Sequence, residues 1–157
     1  MVTYVKGDAT KPQGDGRKII AHVCNDKGGW GAGFVLALNR LSYKPQKLYR
    51  EWYARKRDYF LPLGGTQTVY LNDELYVFNM VAQHGTVSKL NPQPLSYEAL
   101  EIALERLAEL AIELGASVHM PRIGAGLAGG DWNVIESIIN RTLTLRDVNV
   151  TVYDFAQ

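Results

Sequence analysis

His119-Met120-Pro121-Arg122-Ile123-Gly124-Ala125-Gly126-Leu127-Ala128-Gly129-Gly130-Asp131-Trp132 is the stretch that decides the fold. It reads as the end of a buried strand (Ser117 to Met120), a loop with four glycines in seven residues, and a helix opening at Asp131. Glycine reaches backbone angles closed to other residues, and its missing side chain lets a ligand touch the main chain. A helix start presents unpaired N–H groups and the positive end of a dipole, both suited to a phosphate. The same arrangement occurs upstream. Lys18 to Val23 is an apolar strand, Asn25 to Gly33 carries Gly28, Gly29, Gly31 and Gly33, and a helix follows from Phe34. Two strand–glycine loop–helix units in 157 residues point to one diphosphate gripped from both sides.

Around these units the periodicity predicts strands over Val2 to Lys6, Thr66 to Leu71, Leu75 to Ala82 and Val148 to Phe155. The turn Asn72-Asp73 joins two of them as a hairpin. Helices are expected over Phe34 to Asn39, Pro45 to Arg57, Leu95 to Leu114 and Asp131 to Thr144. The third of these is the clearest. Ser96 is its expected N-cap, Leu100, Leu104, Leu107 and Leu114 line its apolar face, and Gly115 ends it. Lys18 to Val23 is apolar after its first residue, the pattern of a strand covered on both faces. Strands interleaved with helices, with one hairpin, imply a mixed sheet between helical layers.

Length and composition narrow the function. One domain spanning 1–157 accounts for the chain. A net charge of +1 calls for no nucleic-acid or membrane partner. One cysteine, Cys24, excludes an internal disulfide and fits a reducing compartment. With no signal-like start and no apolar run of bilayer length, a cytoplasmic protein is expected. His22, His84 and His119 with Cys24 form no recognisable metal motif, so no metal and no cofactor is expected. Gly124-x-Gly126-x-x-Gly129 matches the spacing of a dinucleotide fingerprint. A Rossmann reading fails because no acidic residue ends a strand about 20 residues on.

Three motifs in order carry a family resemblance: Gly7-Asp8-Ala9-Thr10, Asn25 ahead of Gly31-Ala32-Gly33-Phe34, and Pro121-Arg122-Ile123-Gly124-Ala125-Gly126-Leu127. Together they resemble the signature of macrodomains, the ADP-ribose-binding modules of the Appr-1″-phosphate processing family, over nearly the whole chain. The resemblance implies a three-layer α/β/α macrodomain with a central mixed, mostly parallel sheet of about six strands. It implies ADP-ribose or an ADP-ribosylated substrate as partner, and nucleic acid only as a modified substrate. It also assigns a site. Asp8 and Ala9 meet adenine, Asn25 meets the distal ribose, and the diphosphate lies between Gly31, Ala32, Gly33 and Phe34 on one side and Ile123, Gly124, Ala125, Gly126 and Leu127 on the other. The implied activity is hydrolysis at the distal ribose, of an ADP-ribosyl adduct or of ADP-ribose 1″-phosphate. A reader that only binds is the alternative.

Each residue also has a plain structural role. Asp8 suits a turn that binds the Thr10 amide. Asn25 suits a turn or cap. His22, inside an apolar strand, reads as a satisfied core histidine that could instead face the cleft as an acid or base. Asp131 fits two roles equally well: N-cap of its helix, or a carboxylate that orients or deprotonates water near the distal ribose. Arg122 suits phosphate binding or pairing with a carboxylate. Tyr153 and Phe155 suit stacking on adenine or ordinary strand packing. His84-Gly85 fits a solvated turn or the cleft rim. Some macrodomain hydrolases use a lysine just after the strand ending Met80-Val81-Ala82-Gln83 and an aspartate directly after the Gly-Leu of the second loop. Gln83 and Ala128 stand there, which speaks against a covalent lysine mechanism. Lys44, Lys47, Arg50, Arg55, Lys56 and Arg57, with Tyr43, Tyr49, Trp52 and Tyr53, make a basic-aromatic segment. It fits single-stranded nucleic acid or, more simply, the solvated face of a helix.

Overall fold

The computed structural model describes residues 2–56 and 59–155. Its strands are β1 (Val2–Lys6), β2 (Lys18–Asn25), β3 (Thr66–Asn72), β4 (Leu75–Gln83), β5 (Ser117–Met120) and β6 (Val150–Asp154). Its helices are α1 (Phe34–Leu41), α2 (Lys44–Arg55), α3 (Tyr97–Leu114) and α4 (Trp132–Thr142), with a 3-10 turn at Thr144–Arg146. The six strands run in the order β1-β6-β5-β2-β4-β3. Only the β3–β4 hairpin is antiparallel. This is the mixed, mostly parallel sheet that the sequence predicts. Boundaries differ by a few residues at most; α2 ends at Arg55, and Arg57 of the basic-aromatic segment lies outside the described residues.

The pleat of β2 and β4 sorts two cores. Ile19, Ala21, Phe78, Met80 and Ala82 face α3 and α4. Ile20, Cys24, Val77 and Val81 face the other way, with Leu38 of α1 and Tyr49 of α2. Successive strand side chains alternate faces, so a strand buried on both sides must be apolar at nearly every position. That is why Lys18–Asn25 reads as a continuous apolar run.

One polar residue in β2 and one in β4 interrupt these apolar strands and pair with each other. In register, His22 stands beside Asn79, and Asn79 beside Gln67. His22 Nε2 lies 2.5 Å from Asn79 Oδ1. The Asn79 amide nitrogen donates to Gln67 Oε1 at 3.0 Å and to the Pro45 carbonyl at 3.2 Å. Gln67 in turn donates to the Leu48 carbonyl at 2.9 Å. The ladder satisfies each buried polar atom and ties α2 to the sheet. Ser96 caps α3 by accepting from the Ala99 amide, and Gly115 closes it in the left-handed conformation, as its sequence dictates.

Candidate functional site

β2 and β5 are adjacent parallel strands, yet the chain leaves them in opposite directions. After β2 it reaches α1, which packs in one core; after β5 it reaches α4, which packs in the other. A crevice must open where neighbouring strands part in this way, and open α/β sheets bind ligands there.

Two cavities occupy the crevice. The larger, about 450 Å³, lies between the loops after β2 and β5. The second, about 410 Å³, lies beside the ends of β1 and β6. Gly33, Phe34 and Pro121 border both, so they form one cleft. Asn25, Gly31, Ala32, Arg122, Ile123, Gly124, Gly126 and Leu127 line the first, and Asp8, Ala9, Tyr153 and Phe155 the second. Ala125 is not among the lining residues; it packs on the core.

The two helix starts differ. Gly33, at φ 77°, caps α1 with no side-chain bond, and it borders both cavities. The first amides of α1 therefore keep their donor capacity beside the cleft. At α4, Asp131 occupies the N-cap and accepts from the Asn133 amide at 2.9 Å. Asp131 is not among the residues lining the cleft. Of its two expected roles, capping is the one whose contacts are present. Just before it, Gly129 and Gly130 pack closely on Pro92 and Leu95.

Asp8 accepts the Thr10 amide at 2.9 Å and the Thr10 hydroxyl at 2.7 Å, both on Oδ1. Among the described residues nothing bonds Oδ2, and Asp8 borders the second cavity. The turn role fixes the carboxylate and leaves its outer oxygen for a ligand. Asn25 ties its own loop: Oδ1 accepts from the Lys27 and Gly29 amides at 2.9 and 3.0 Å, and the amide nitrogen donates to the Gly29 carbonyl at 3.1 Å. Tyr49 locks this turn from beneath, donating to the Asn25 carbonyl at 2.5 Å.

His22 borders the cleft but is 1% exposed, with its ring edge-on to Trp30 and tilted against Phe34. Burial pushes its pKa down to about 4, so it is a neutral core residue near pH 7. Its proton goes to Asn79, and an amide partner cannot stabilise an imidazolium as a carboxylate would. These contacts fit the reading of His22 as a satisfied core histidine. Arg122 forms a two-point pair with Asp154, Nε–Oδ1 2.6 Å and Nη2–Oδ2 3.1 Å. Its guanidinium lies 5.1 Å from the ring centres of both Tyr4 and Trp132. This cation holds the second loop against β1 and α4. Tyr153 is anchored by its hydroxyl, which accepts from the Gln13 amide at 2.8 Å and lies 2.7 Å from His119 Nδ1. Its ring walls the second cavity next to the 68% exposed Phe155.

Trp30, Thr86 and Val87, which sequence reading passed over, also line the cleft. Outside the cleft, His84 pairs with Asp26, Nδ1 lying 2.7 Å from Oδ2, a pairing the sequence reading did not anticipate. A signal for that pair exists: β2 and β4 are parallel neighbours with Asn25 in register with Gln83, so the next residues of both meet. Only knowing the strand order reveals it. Among the described residues no cluster could hold a metal ion, and no helix is long and apolar enough to cross a membrane.

A glycine-walled cleft at the carboxyl ends of parallel strands, in a sheet sandwiched by helices, defines a three-layer α/β protein built to hold an anionic ligand. No family model matches the chain. The solved structure of a macrodomain protein from Streptomyces coelicolor is 48% identical, covers 99% of this chain and 100% of its own, and superposes with a TM-score of 0.86. The chain belongs to the macrodomain family. Among curated relatives, mouse chromodomain-helicase-DNA-binding protein 1-like is 32% identical over 98% of this chain, which spans only 18% of that protein's length. The ADP-ribose 1″-phosphate phosphatase of Lodderomyces elongisporus is 29% identical over 98% of this chain and 99% of its own. Human ADP-ribose glycohydrolase OARD1 is 27% identical over 97% of this chain and 90% of its own.

Proposed function

We propose that the cleft binds ADP-ribose and that the protein hydrolyses an ADP-ribose adduct at the distal ribose. The adenine lies by Asp8, Ala9, Tyr153 and Phe155. The diphosphate crosses between the start of α1 and the loop 122–127, and the distal ribose reaches Asn25. One observation carries this reading. A side chain at Gly31 or Gly126 would meet no atom within 4 Å, and neither residue has a positive φ. Neither space nor backbone angle in the fold calls for glycine there, so the bare main chain serves a ligand that lies against it. The phosphatase and glycohydrolase among the relatives support the chemistry. The single buried Cys24 fits the cytoplasm as its compartment.

A reader without turnover is favoured by one fact, that Asp131 is spent on capping α4. Calorimetric titration with ADP-ribose, against AMP and NAD, tests both readings together. ADP-ribose is expected to bind much more tightly than AMP. No measurable binding sinks both. Release of ADP-ribose from a modified substrate then separates enzyme from reader.

A further inference from the structure

His119 is not among the residues that line the cleft, yet it bonds to one that is, Tyr153. Its neighbours on β5, Val118 and Met120, pack in the core with α3 and α4, so the pleat turns His119 to the opposite face of the sheet. Thr151 of β6 stands beside it in register. Tyr153, two residues on, therefore shares its face. Both rings are buried, with centres 5.7 Å apart. The loop between β1 and β2 reaches this pair twice, through the Gln13 amide and the Arg17 carbonyl.

The hydrogen bonds here form one line, and its direction is fixed from one end. The Gln13 amide can only donate, so the Tyr153 hydroxyl accepts it, at 2.8 Å. The hydrogen of that hydroxyl then needs an acceptor, and His119 Nδ1 lies 2.7 Å away. Nδ1 is therefore bare, the proton sits on Nε2, and Nε2 donates to Ser117 Oγ at 2.7 Å. Ser117 turns its own hydrogen towards the Arg17 carbonyl at 3.5 Å. Burial, with Lys18 as the neighbouring cation, lowers the His119 pKa to about 4, which keeps the ring neutral near pH 7. An imidazolium would donate from both nitrogens and deprive the tyrosine hydrogen of its acceptor.

We propose that His119 is the positioning residue of the adenine end of the cleft. It fixes the Tyr153 wall and, through the Gln13 amide, the loop that presents Asp8, and so sets the preference for adenine over other bases. This rests on the functional reading above. Asp8 and Tyr153 border the same cavity. Asp8 sits in the tied loop, in a turn closed by the Lys11 amide on its carbonyl at 2.9 Å. At the start of that loop, a Cβ on Gly7 would stand 3.5 Å from both the Tyr153 ring and the Gln13 side chain, so loop and ring move together or not at all. A carboxylate oxygen tells an exocyclic amine from a carbonyl only while it is held at hydrogen-bond distance. The line from Ser117 to Gln13 supplies that hold without itself touching the ligand.

Two measurements test this. Imidazole nitrogen NMR of the free protein should show His119 neutral with its proton on Nε2; a proton on Nδ1 overturns the line whatever the ligand. Calorimetry then compares ADP-ribose with inosine diphosphate ribose, in which a carbonyl replaces the adenine amine. The wild type is expected to prefer ADP-ribose. His119→Phe should weaken ADP-ribose about tenfold, the effect of one lost hydrogen bond, and change the inosine compound little, so that the preference collapses. His119→Asn puts an amide oxygen where Nδ1 stands and should recover most of the affinity and of the preference. Ser117→Ala, at the half-buried end of the line, should shift both in the same direction by a smaller factor, and it keeps the test open if His119→Phe does not fold. An unchanged preference in both variants, or an equal loss for the two ligands, overturns the proposal. So does a wild type that binds the two equally. A wild type that binds neither is a different failure, that of the functional reading itself.

Discussion

The two glycine loops look alike in sequence and use their glycines differently. In the loop after β5, three of four are packed against protein: a Cβ at Gly124 would lie 2.7 Å from Leu95 Cδ2, at Gly129 2.7 Å from the Pro92 carbonyl, and at Gly130 2.6 Å from the Gly124 carbonyl. Only Gly126 faces open space. In the loop after β2, Gly28 sits against Tyr53 and Gly29 against Asn25, whereas Gly31 and Gly33 are open. The second loop spends glycine mainly on folding back over the segment before α3. The first divides it evenly between its own turn and the cleft. A count of glycines cannot distinguish these uses; what an added methyl group would touch can.

The sharpest break of this comparison is Gly130→Val. Its φ is unremarkable, so the cost is purely steric, and the atoms in the way are a backbone carbonyl and the core Leu95. A loss of about 3 kcal/mol is expected, the upper end for overpacking, read as a fall in the denaturant midpoint at unchanged slope. A loss under about 0.5 kcal/mol, the range of ordinary surface changes, would mean the second loop is as open as the first.

Each loop springs from a strand with a buried neutral histidine, His22 on β2 and His119 on β5, both with pKa lowered to about 4, chiefly by burial. The unfolded chain, with histidine near 6.5, binds more protons than the folded one between those values. Stability is therefore complete above about pH 6.5 and falls as the pH drops towards 4. For His22 alone the fall from pH 6.5 to 5 is about 1.5 kcal/mol. Urea titrations of wild type and a His22→Gln variant check it; an equal fall in both would remove His22 as the source.

The open glycines should respond in the opposite currency. Gly31→Val and Gly126→Val are expected to leave stability within about 0.5 kcal/mol and to weaken ADP-ribose at least tenfold, since the added methyls fill the ligand's space. Calorimetry beside thermal melting reads both. Unchanged affinity with a lowered Tm would show these glycines to be structural, and would remove the observation on which the functional reading stands.

The sequence revealed the mixed sheet, its strands and the two loops because each is a local pattern: apolar runs, a hairpin turn, Ser96 and Gly115 as caps. Asp8 and the 31–34 and 122–127 segments were legible for the same reason, being contiguous with strand ends. The two readings of His22 stayed open in the sequence because an apolar strand shows that a residue is inside, not what it is bonded to; its partner Asn79 lies 57 residues away. The Asp26–His84 pair escaped because it depends on β2 and β4 lying side by side, a fact of strand order that no local pattern contains.

Asp131 gives the smallest effect and the clearest separation of the two ends of the second loop. As an N-cap bonded to the Asn133 amide, its replacement by alanine should cost about 1 kcal/mol, and Asp131→Asn, which keeps a capping oxygen, much less. Neither is expected to change ADP-ribose binding or the rate of release, because Asp131 is not among the residues that line the cleft. The decisive comparison is Asp131→Asn, which leaves the cap and removes the negative charge. Full activity in that variant assigns the residue to the helix. A loss of turnover with unaltered stability would mean the loop swings Asp131 into the cleft when ligand binds, and the difference between the two glycine loops would then lie in motion as well as in packing.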